Sequence, residues 1–212
     1  PDNEVSGELT IYGRATARFA VEGSAKSVAG SINKRSETTG VTADARTLVQ
    51  LNFSEDDTYS FELYGSNSEA VSIRGKVEGG DLSLLVEAIN AEKGTTGISA
   101  RIEEGKLWLV SEAGDDIVLE DFLSEENGTA VIQAFDYSGE DELTSAVATL
   151  DDDSSARAIG VVRMSSNNAF STEADGITVD GSTTQNFSRL ESVDDIDLLT
   201  DVDAQLAIGV ID

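Results

Sequence analysis

Apolar residues recur at helical spacing in two parts of the chain, at a constant offset of 57 residues, as from Asn33 to Asn90. Within each part they follow the order i, i+3, i+4, i+7, which is one face of an α-helix. The corresponding positions are Ala25 and Leu82, Val28 and Leu85, Ala29 and Val86, and Ile32 and Ile89. We therefore predict amphipathic helices over residues 24–37 and 82–93 and interpret them as two copies of one module.

Each predicted helix leads into the same polar turn, which is followed by a segment of alternating apolar and polar residues. The alternation over 41–53 and 59–63, separated by a polar turn, predicts a β-hairpin over 41–64. Residues 98–102 and 107–109 predict a second hairpin. The shared motif consists of Ile32, Asn33, Thr39 and Gly40 in the first copy, and of Ile89, Asn90, Thr96 and Gly97 in the second.

The sequence around these copies predicts further elements. Alternation over 5–22 predicts strands, Ser24 is placed to cap the first helix, and Gly94 is placed to end the second. Residues 123–156 are less regular. Val131, Phe135 and Tyr137 suggest a strand there, and the spacing of Leu143, Val147 and Leu150 suggests a helix. Strands are also predicted over 157–166 and 176–180.

The C-terminal residues change in character, because an apolar helical stripe begins after Thr200. We expect this stripe to pack on an inner domain, and it consists of Ala204, Ala207, Ile208 and Ile211. The chain lacks an initiator Met and stops inside this predicted helix, so we interpret it as an internal fragment of a longer protein.

The predicted fold class is α+β and strand-dominated. It comprises two tandem units, each a short helix packed on a small antiparallel sheet, plus a C-terminal helical stub. The predicted domains are the first outer unit (1–66), the second outer unit (67–122), a β-rich segment (123–189) and the start of an inner-domain helix (190–212).

Composition narrows the classes of function. The formal charge of −27 disfavours nucleic acid and anionic membrane surfaces as partners. The sequence has no Cys and no His, which removes thiolate metal sites and the commonest general base. Several acidic runs could bind Ca²⁺, but none has the spacing of a helix–loop–helix site. We therefore predict no enzymatic activity, no metal and no cofactor.

The Ile-Asn…Thr-Gly motif after a short amphipathic helix resembles the repeat in the central regions of bacterial flagellins and related flagellar axial proteins. Residues 190–197 and 204–212 resemble the place where flagellin re-enters its inner helical domain, and residues 163–171 resemble the strand before that junction. The matching parts are about 24–122 and 157–212, while 123–156 shows no clear match.

The resemblance implies a structural subunit of the bacterial flagellar filament, secreted and extracellular, whose exposed outer domains serve motility and antigenicity. Its implied partners are other flagellin subunits, through inner helices outside this fragment, and an export chaperone for the full-length protein. We expect the fragment itself to be a monomer. The family also suggests O-linked glycans, for which the candidate residues are Ser165, Ser166, Ser182, Thr183 and Thr184.

Two alternatives remain open from the sequence. One is a flagellar cap or hook-associated protein, which would share the repeat. The other is a secreted carbohydrate-binding or adhesive module, with Trp108 as a sugar-stacking platform. Trp108 is out of phase with Leu107 and Leu109, so we expect it on the other side of its sheet, packed between the two units or against residues 123–156.

Overall fold

The structure is a computed structural model and describes residues 5–175 and 186–187. Within these residues the fold is α+β and rich in strands, in agreement with the predicted class. The strands are β1 (Val5–Tyr12), β2 (Thr16–Gly23), β3 (Val41–Phe53), β4 (Thr58–Tyr64), β5 (Val71–Lys76), β6 (Ser99–Glu103), β7 (Lys106–Ser111), β8 (Ile117–Ser124), β9 (Ala130–Phe135), β10 (Glu142–Leu150), β11 (Ser154–Ala158), β12 (Val161–Ser166), β13 (Ser171–Asp175) and β14 (Asn186–Phe187). The helices are α1 (Ala25–Asn33), α2 (Ser36–Thr39), α3 (Ser83–Ala91) and α4 (Lys93–Thr96).

The strands form three sheets. One has the order β14-β13-β1-β2, a second has the order β10-β9-β3-β7-β6 with β12 also paired to β3, and the third has the order β11-β8-β4-β5. The chain divides into two compact units. The described part of the larger unit is 5–6, 21–34 and 42–165, and that of the smaller unit is 7–20, 35–41, 166–175 and 186–187.

The core of the larger unit lies between its two sheets. Strand β4 alternates between buried and half-exposed residues, so that Tyr59, Phe61 and Leu63 all point into this core. They join residues from the six-stranded sheet and from α3, among them Leu51 and Leu85, in one continuous apolar cluster. This is the packing expected when two sheets each contribute one apolar face.

Strand β7 is buried on both faces, which explains its nearly continuous apolar sequence. Leu107 and Leu109 belong to the core between the sheets. Trp108 and Val110 point the other way and pack with Phe135 and Leu48 in a second cluster. The prediction that Trp108 lies on the opposite side from its neighbours is therefore confirmed.

The smaller unit is built on the sheet that contains β1, β2 and β13. Leu9 and Ile11 of β1 are buried, as is Phe19 of β2. Strand β13 pairs with β1 so that Ala174 lies opposite Leu9. The Arg35 guanidinium lies over the Phe19 ring, 4.0 Å from its centroid, and covers this aromatic side chain with a cation–π contact.

The predicted hairpin over 41–64 is wrong. Strand β3 pairs with β7 and β9, whereas β4 pairs with β5 and β8 in a different sheet. A polar turn between two alternating segments looks the same in sequence whether the second strand returns beside the first or crosses to another sheet. The predicted hairpin of β6 and β7 is confirmed, with Ile102 opposite Leu107.

The helix boundaries also differ from the prediction. Helix α1 ends at Asn33, and the Thr-Thr segment belongs to a separate short helix, α2. In the second copy α3 ends at Ala91, and Gly94 lies within α4 rather than ending a helix. Ser24 occupies the N-cap position as predicted, but its side chain makes no capping hydrogen bond.

The helix suggested by Leu143, Val147 and Leu150 is a strand instead, β10, which pairs with β9. Its β-branched residues favour an extended backbone, and the register shift between Glu142 and Val147 disguises its alternation. The predicted strand over 176–180, the stripe at Ala204, Ala207, Ile208 and Ile211, and the predicted helix over 190–212 lie outside the described residues.

Candidate functional site

The repeated motif is held by an asparagine side chain at the end of each longer helix. Asn33 donates from Nδ2 to the Ala43 carbonyl (2.7 Å), and its Oδ1 accepts from the Ala43 N–H (2.8 Å). Asn90 makes the same two bonds with Ala100, each at 2.9 Å. Each amide therefore pairs with a strand residue as a neighbouring strand would, and fixes the end of the helix to the strand that follows.

The threonine of the motif fixes the turn. Thr39 donates from Oγ1 to the Arg35 carbonyl at 3.0 Å and accepts the Val41 N–H at 3.2 Å. Thr96 forms the corresponding pair of bonds, again at 3.0 and 3.2 Å, with the Glu92 carbonyl and the Ile98 N–H. Both threonines are buried, so these bonds satisfy hydroxyl groups that water does not reach.

The glycine of the motif supplies a left-handed backbone after each short helix. Gly40 has φ +74° and Gly97 has φ +73°. A residue with a side chain is strained at these angles, so glycine is favoured at both positions. Ile32 and Ile89, the apolar members of the motif, are fully buried.

A second pair of glycines belongs to the same structure but is not visible in the sequence repeat. The Thr39 carbonyl accepts a hydrogen bond from the Arg14 N–H (2.6 Å), and a Cβ added at Gly13 would lie 2.2 Å from its oxygen. The same holds for Gly65, where the added Cβ would lie 2.2 Å from the Thr96 oxygen.

The Thr96 carbonyl accepts a hydrogen bond from the Ser66 N–H at 2.8 Å, just as the Thr39 carbonyl accepts one from Arg14. Sequence reasoning missed these glycines because the offset between Gly13 and Gly65 differs from that between Asn33 and Asn90. A search that allowed insertions in loops would have found the Gly-plus-polar pair that precedes each helix.

A buried carboxylate organises the turn between β3 and β4. Asp57 accepts backbone N–H bonds from Thr58 (2.6 Å), Glu126 (2.9 Å), Glu125 (3.2 Å) and Gly128 (3.2 Å). Burial tends to raise the pKa of this carboxyl, but the four donors outweigh burial and hold its pKa below the ordinary value. Asp57 thus ties the start of β4 to the loop between β8 and β9.

Asp56, which precedes Asp57, also accepts backbone hydrogen bonds, but at the surface. It accepts N–H bonds from Gly79 (2.6 Å) and Gly80 (3.2 Å), and these bonds lower its pKa. Three segments that are distant in sequence therefore meet at one acidic turn. The sequence indicated only a polar turn here, because the partners of both aspartates are backbone groups.

The larger unit also carries an open polar groove of about 440 Å³. In the wall of this groove, Oδ2 of Asp116 accepts hydrogen bonds from Nε and Nη2 of Arg157, at 2.8 and 2.6 Å. Asp115 is paired with Lys26 at 2.8 Å. Two of the groove's carboxylates are thus already matched by cations, and the arrangement is that of ion pairs joining strands and loops.

Trp108 is 7% exposed and its ring lies 4.5 Å from that of Phe135, centroid to centroid. Phe135 lies in the segment 123–156, against which packing was expected. A sugar platform needs an accessible aromatic face, so Trp108 does not serve as one in this structure.

The predicted glycan sites are only partly described. Ser165 Oγ lies 3.1 Å from Thr42 Oγ1, and Ser166 donates to the Gly40 carbonyl at 2.7 Å. Attachment at Ser166 would replace the proton that makes this bond. Ser182, Thr183 and Thr184 lie outside the described residues, and glycosylation stays a prediction.

Over residues 5–175 and 186–187, no group of three or more acidic side chains is arranged to hold a metal ion. Over the same residues no helix is long and apolar enough to cross a membrane. Comparison of the chain with protein-family models and with curated proteins finds no match.

Proposed function

We propose that this chain is the outer, surface-exposed region of a bacterial flagellin. In this role it is a structural and antigenic part of the flagellar filament and catalyses no reaction. The observation that carries the proposal is the polar turn that occurs twice, with the same asparagine and threonine bonds in each copy. This turn is the motif on which the resemblance to flagellar proteins rests.

The proposal includes the tandem arrangement. The first copy would be β1, β2, α1, α2 and β3, and the second would be β4, β5, α3, α4 and β6. Gly13 and Gly65 support this extension, because each brings a strand end against the turn of its own copy. The module would then be a strand pair, a helix, a short helix and a strand, rather than a helix followed by a hairpin.

The charge of the chain fits an exposed position on a filament. A net charge of −27 on the outside of each subunit would make neighbouring filaments repel one another at short range. At about 0.1 M salt this repulsion acts over roughly 10 Å. It would keep filaments from bundling without requiring any specific contact.

Filament contacts would come from inner helices of the full-length subunit, and export would involve a chaperone that binds the full-length chain. The fragment alone should therefore be monomeric at moderate salt. Light scattering at micromolar concentration tests this expectation, and a stable dimer would reveal an interface on the outer region.

Immunogold electron microscopy tests the functional proposal. Antibodies raised against residues 5–175 should label flagellar filaments evenly along their length. Label confined to the filament tip or to the hook junction would favour a cap or hook-associated protein instead. Label on cells but on no part of the flagellum would favour the secreted adhesive module, and a glycan array would then be the next measurement.

A further inference from the structure

The loop between β8 and β9 contains the sequence Asn127-Gly128, the only Asn-Gly step in the chain. Asn127 is exposed and has φ +67°, whereas Gly128 is buried. An exposed asparagine followed by glycine is the pair most prone to deamidation, because glycine has no side chain to hinder attack by its own backbone nitrogen.

The chemistry of this modification is defined. The Gly128 nitrogen loses its proton to solvent base and attacks Asn127 Cγ, forming an N–Cγ bond. The Cγ–Nδ2 bond breaks and ammonia leaves, so that a cyclic imide remains. Water then opens the imide at either carbonyl, giving aspartate or isoaspartate. The first step requires a Gly128 nitrogen that is free to lose its proton and to move.

In this structure the Gly128 N–H is engaged. It donates to Oδ2 of Asp57 at 3.2 Å, and the preceding Glu126 N–H donates to the same oxygen at 2.9 Å. The lowered pKa of Asp57 means that this acceptor is an ionised carboxylate at neutral pH. A negative charge beside the N–H opposes loss of the amide proton, and the paired bonds restrict the backbone on both sides of Asn127.

Packing restrains the same residue. A Cβ added at Gly128 would lie 2.3 Å from the Tyr59 hydroxyl oxygen and 3.0 Å from Oδ2 of Asp57. The Tyr59 hydroxyl is itself anchored, because it donates to the Glu55 carbonyl at 2.9 Å. Gly128 is therefore packed closely against Tyr59 and Asp57, which restricts the movement that the attack requires.

We propose that Asn127 is a deamidation site and that Asp57 slows its deamidation in the folded protein. Isoaspartate at position 127 adds an atom to the main chain and displaces the two N–H groups that flank it. Deamidation would then release the loop between β8 and β9 from Asp57. Because the reaction is slow, molecules that persist for a long time would gradually lose these hydrogen bonds.

The rate of deamidation at Asn127 in the purified chain tests the proposal. Peptide mass mapping during incubation in mildly alkaline buffer follows the replacement of –NH₂ by –OH. The rate in the folded chain should be at least about tenfold lower than in the same chain unfolded in urea, since hydrogen bonds to a charged group commonly contribute this much. Equal rates in the two states would overturn the proposal.

Asp57→Asn identifies the protecting group, and Asp56→Asn is its matched control. Asp57→Asn should raise the rate at Asn127 several-fold, because it removes the charge next to the Gly128 N–H. Asp56→Asn removes a charge from the same turn but not the bond to Gly128, and should leave the rate unchanged. The role of Asp57 is rejected if both variants deamidate like the unaltered chain.

Hydrogen exchange keeps the test valid if Asp57→Asn fails to fold. In the unaltered chain the Gly128 amide should exchange much more slowly than in an unstructured peptide. Exchange at the unprotected rate would show that Asp57 does not hold this N–H, and would overturn the proposal without any variant.

Discussion

The two copies of the sequence repeat use the same hydrogen bonds but different apolar side chains. Helix α1 buries Ala25 and Ala29, where the second copy has the larger Leu82 and Val86, and Val86 is only partly buried. Among the paired apolar positions of the two helices, only the isoleucine is identical and fully buried in both. The two copies therefore share the polar turn rather than the volume of the apolar face.

The copies also differ in the lengths of their loops. Three residues join β1 to β2 and a single residue joins β2 to α1, while β4 to β5 and β5 to α3 each require six. Loops tolerate insertion because few contacts depend on them. The Gly-to-turn contact nevertheless occurs in both copies, so it depends on the residue that directly follows β1 or β4 and not on the length of the loop.

The largest expected effect comes from the shared isoleucine. Ile32→Ala and Ile89→Ala should each lower the free energy of unfolding by about 3 kcal/mol, because each removes a fully buried side chain and leaves a cavity. Urea denaturation followed by the fluorescence of Trp108 measures both. Leu84→Ala, on the exposed side of α3, is the control and should cost less than about 0.5 kcal/mol. A negligible cost at only one isoleucine would show that the two positions are not equivalent.

The close-approach glycines should come next. Gly13→Ala and Gly65→Ala should each cost about 2 to 3 kcal/mol, since the new Cβ meets a backbone carbonyl that no side-chain rotation can move aside. Gly94→Ala is a matched control in α4, where a Cβ meets nothing within 4 Å. It should stabilise the chain by up to about 1 kcal/mol. Denaturation followed by circular dichroism measures the free energy of unfolding of the three variants. If Gly13→Ala were as stable as Gly94→Ala, the close approach at Gly13 would be contradicted.

The next largest effect should come from the two motif asparagines. Asn33→Ala and Asn90→Ala should each cost about 2 kcal/mol, because each leaves a strand N–H and carbonyl without their partner. Asn52→Ala, at an exposed position of β3, should change stability little. Thermal denaturation of the three variants measures the effect, and unequal costs at the two motif positions would mean that the two amides are not equivalent.

The smallest effect is the pH dependence that Asp57 confers, which has no counterpart in the repeat. Its pKa is below the ordinary carboxyl value of 3.8, so its contribution is present above that pH and is lost as pH falls through the lower, folded pKa. Asp57→Asn should therefore flatten the fall in stability that begins as the pH drops below about 4. Denaturation at several pH values tests this. Glu55→Gln removes a charge from the same turn and should leave the slope in place.

Much of the fold could be predicted from local patterns. The alternation of β4 and the helical spacing of Leu85 and Ile89 each follow from which side chains must be buried, and the structure places both as expected. What failed was pairing over longer distances. Nothing local distinguishes a turn that closes a hairpin from one that sends β4 to another sheet, because that choice depends on β8 and on the partners of Asp57.

The sequence predicted which residues form the candidate site, but it did not predict what those residues contact. Asn33 and Thr39 stood out because they recur, yet their partners are backbone groups, which any residue could supply. Gly13 and Gly65 were missed because insertions shift their spacing. The strand at 142–150 was missed because a bulge in an edge strand imitates helical spacing.

Native-state hydrogen exchange, measured residue by residue, tests the equivalence of the two copies most directly. The pairs to compare are the amides of Ala43 and Ala100, of Val41 and Ile98, and of Arg14 and Ser66, each of which donates to the corresponding acceptor in its own copy. We expect all six amides to be protected from exchange. If one copy's amides were protected and the other's exchanged at the rates of an unstructured peptide, the two turns would not be one module and the proposed duplication would be contradicted.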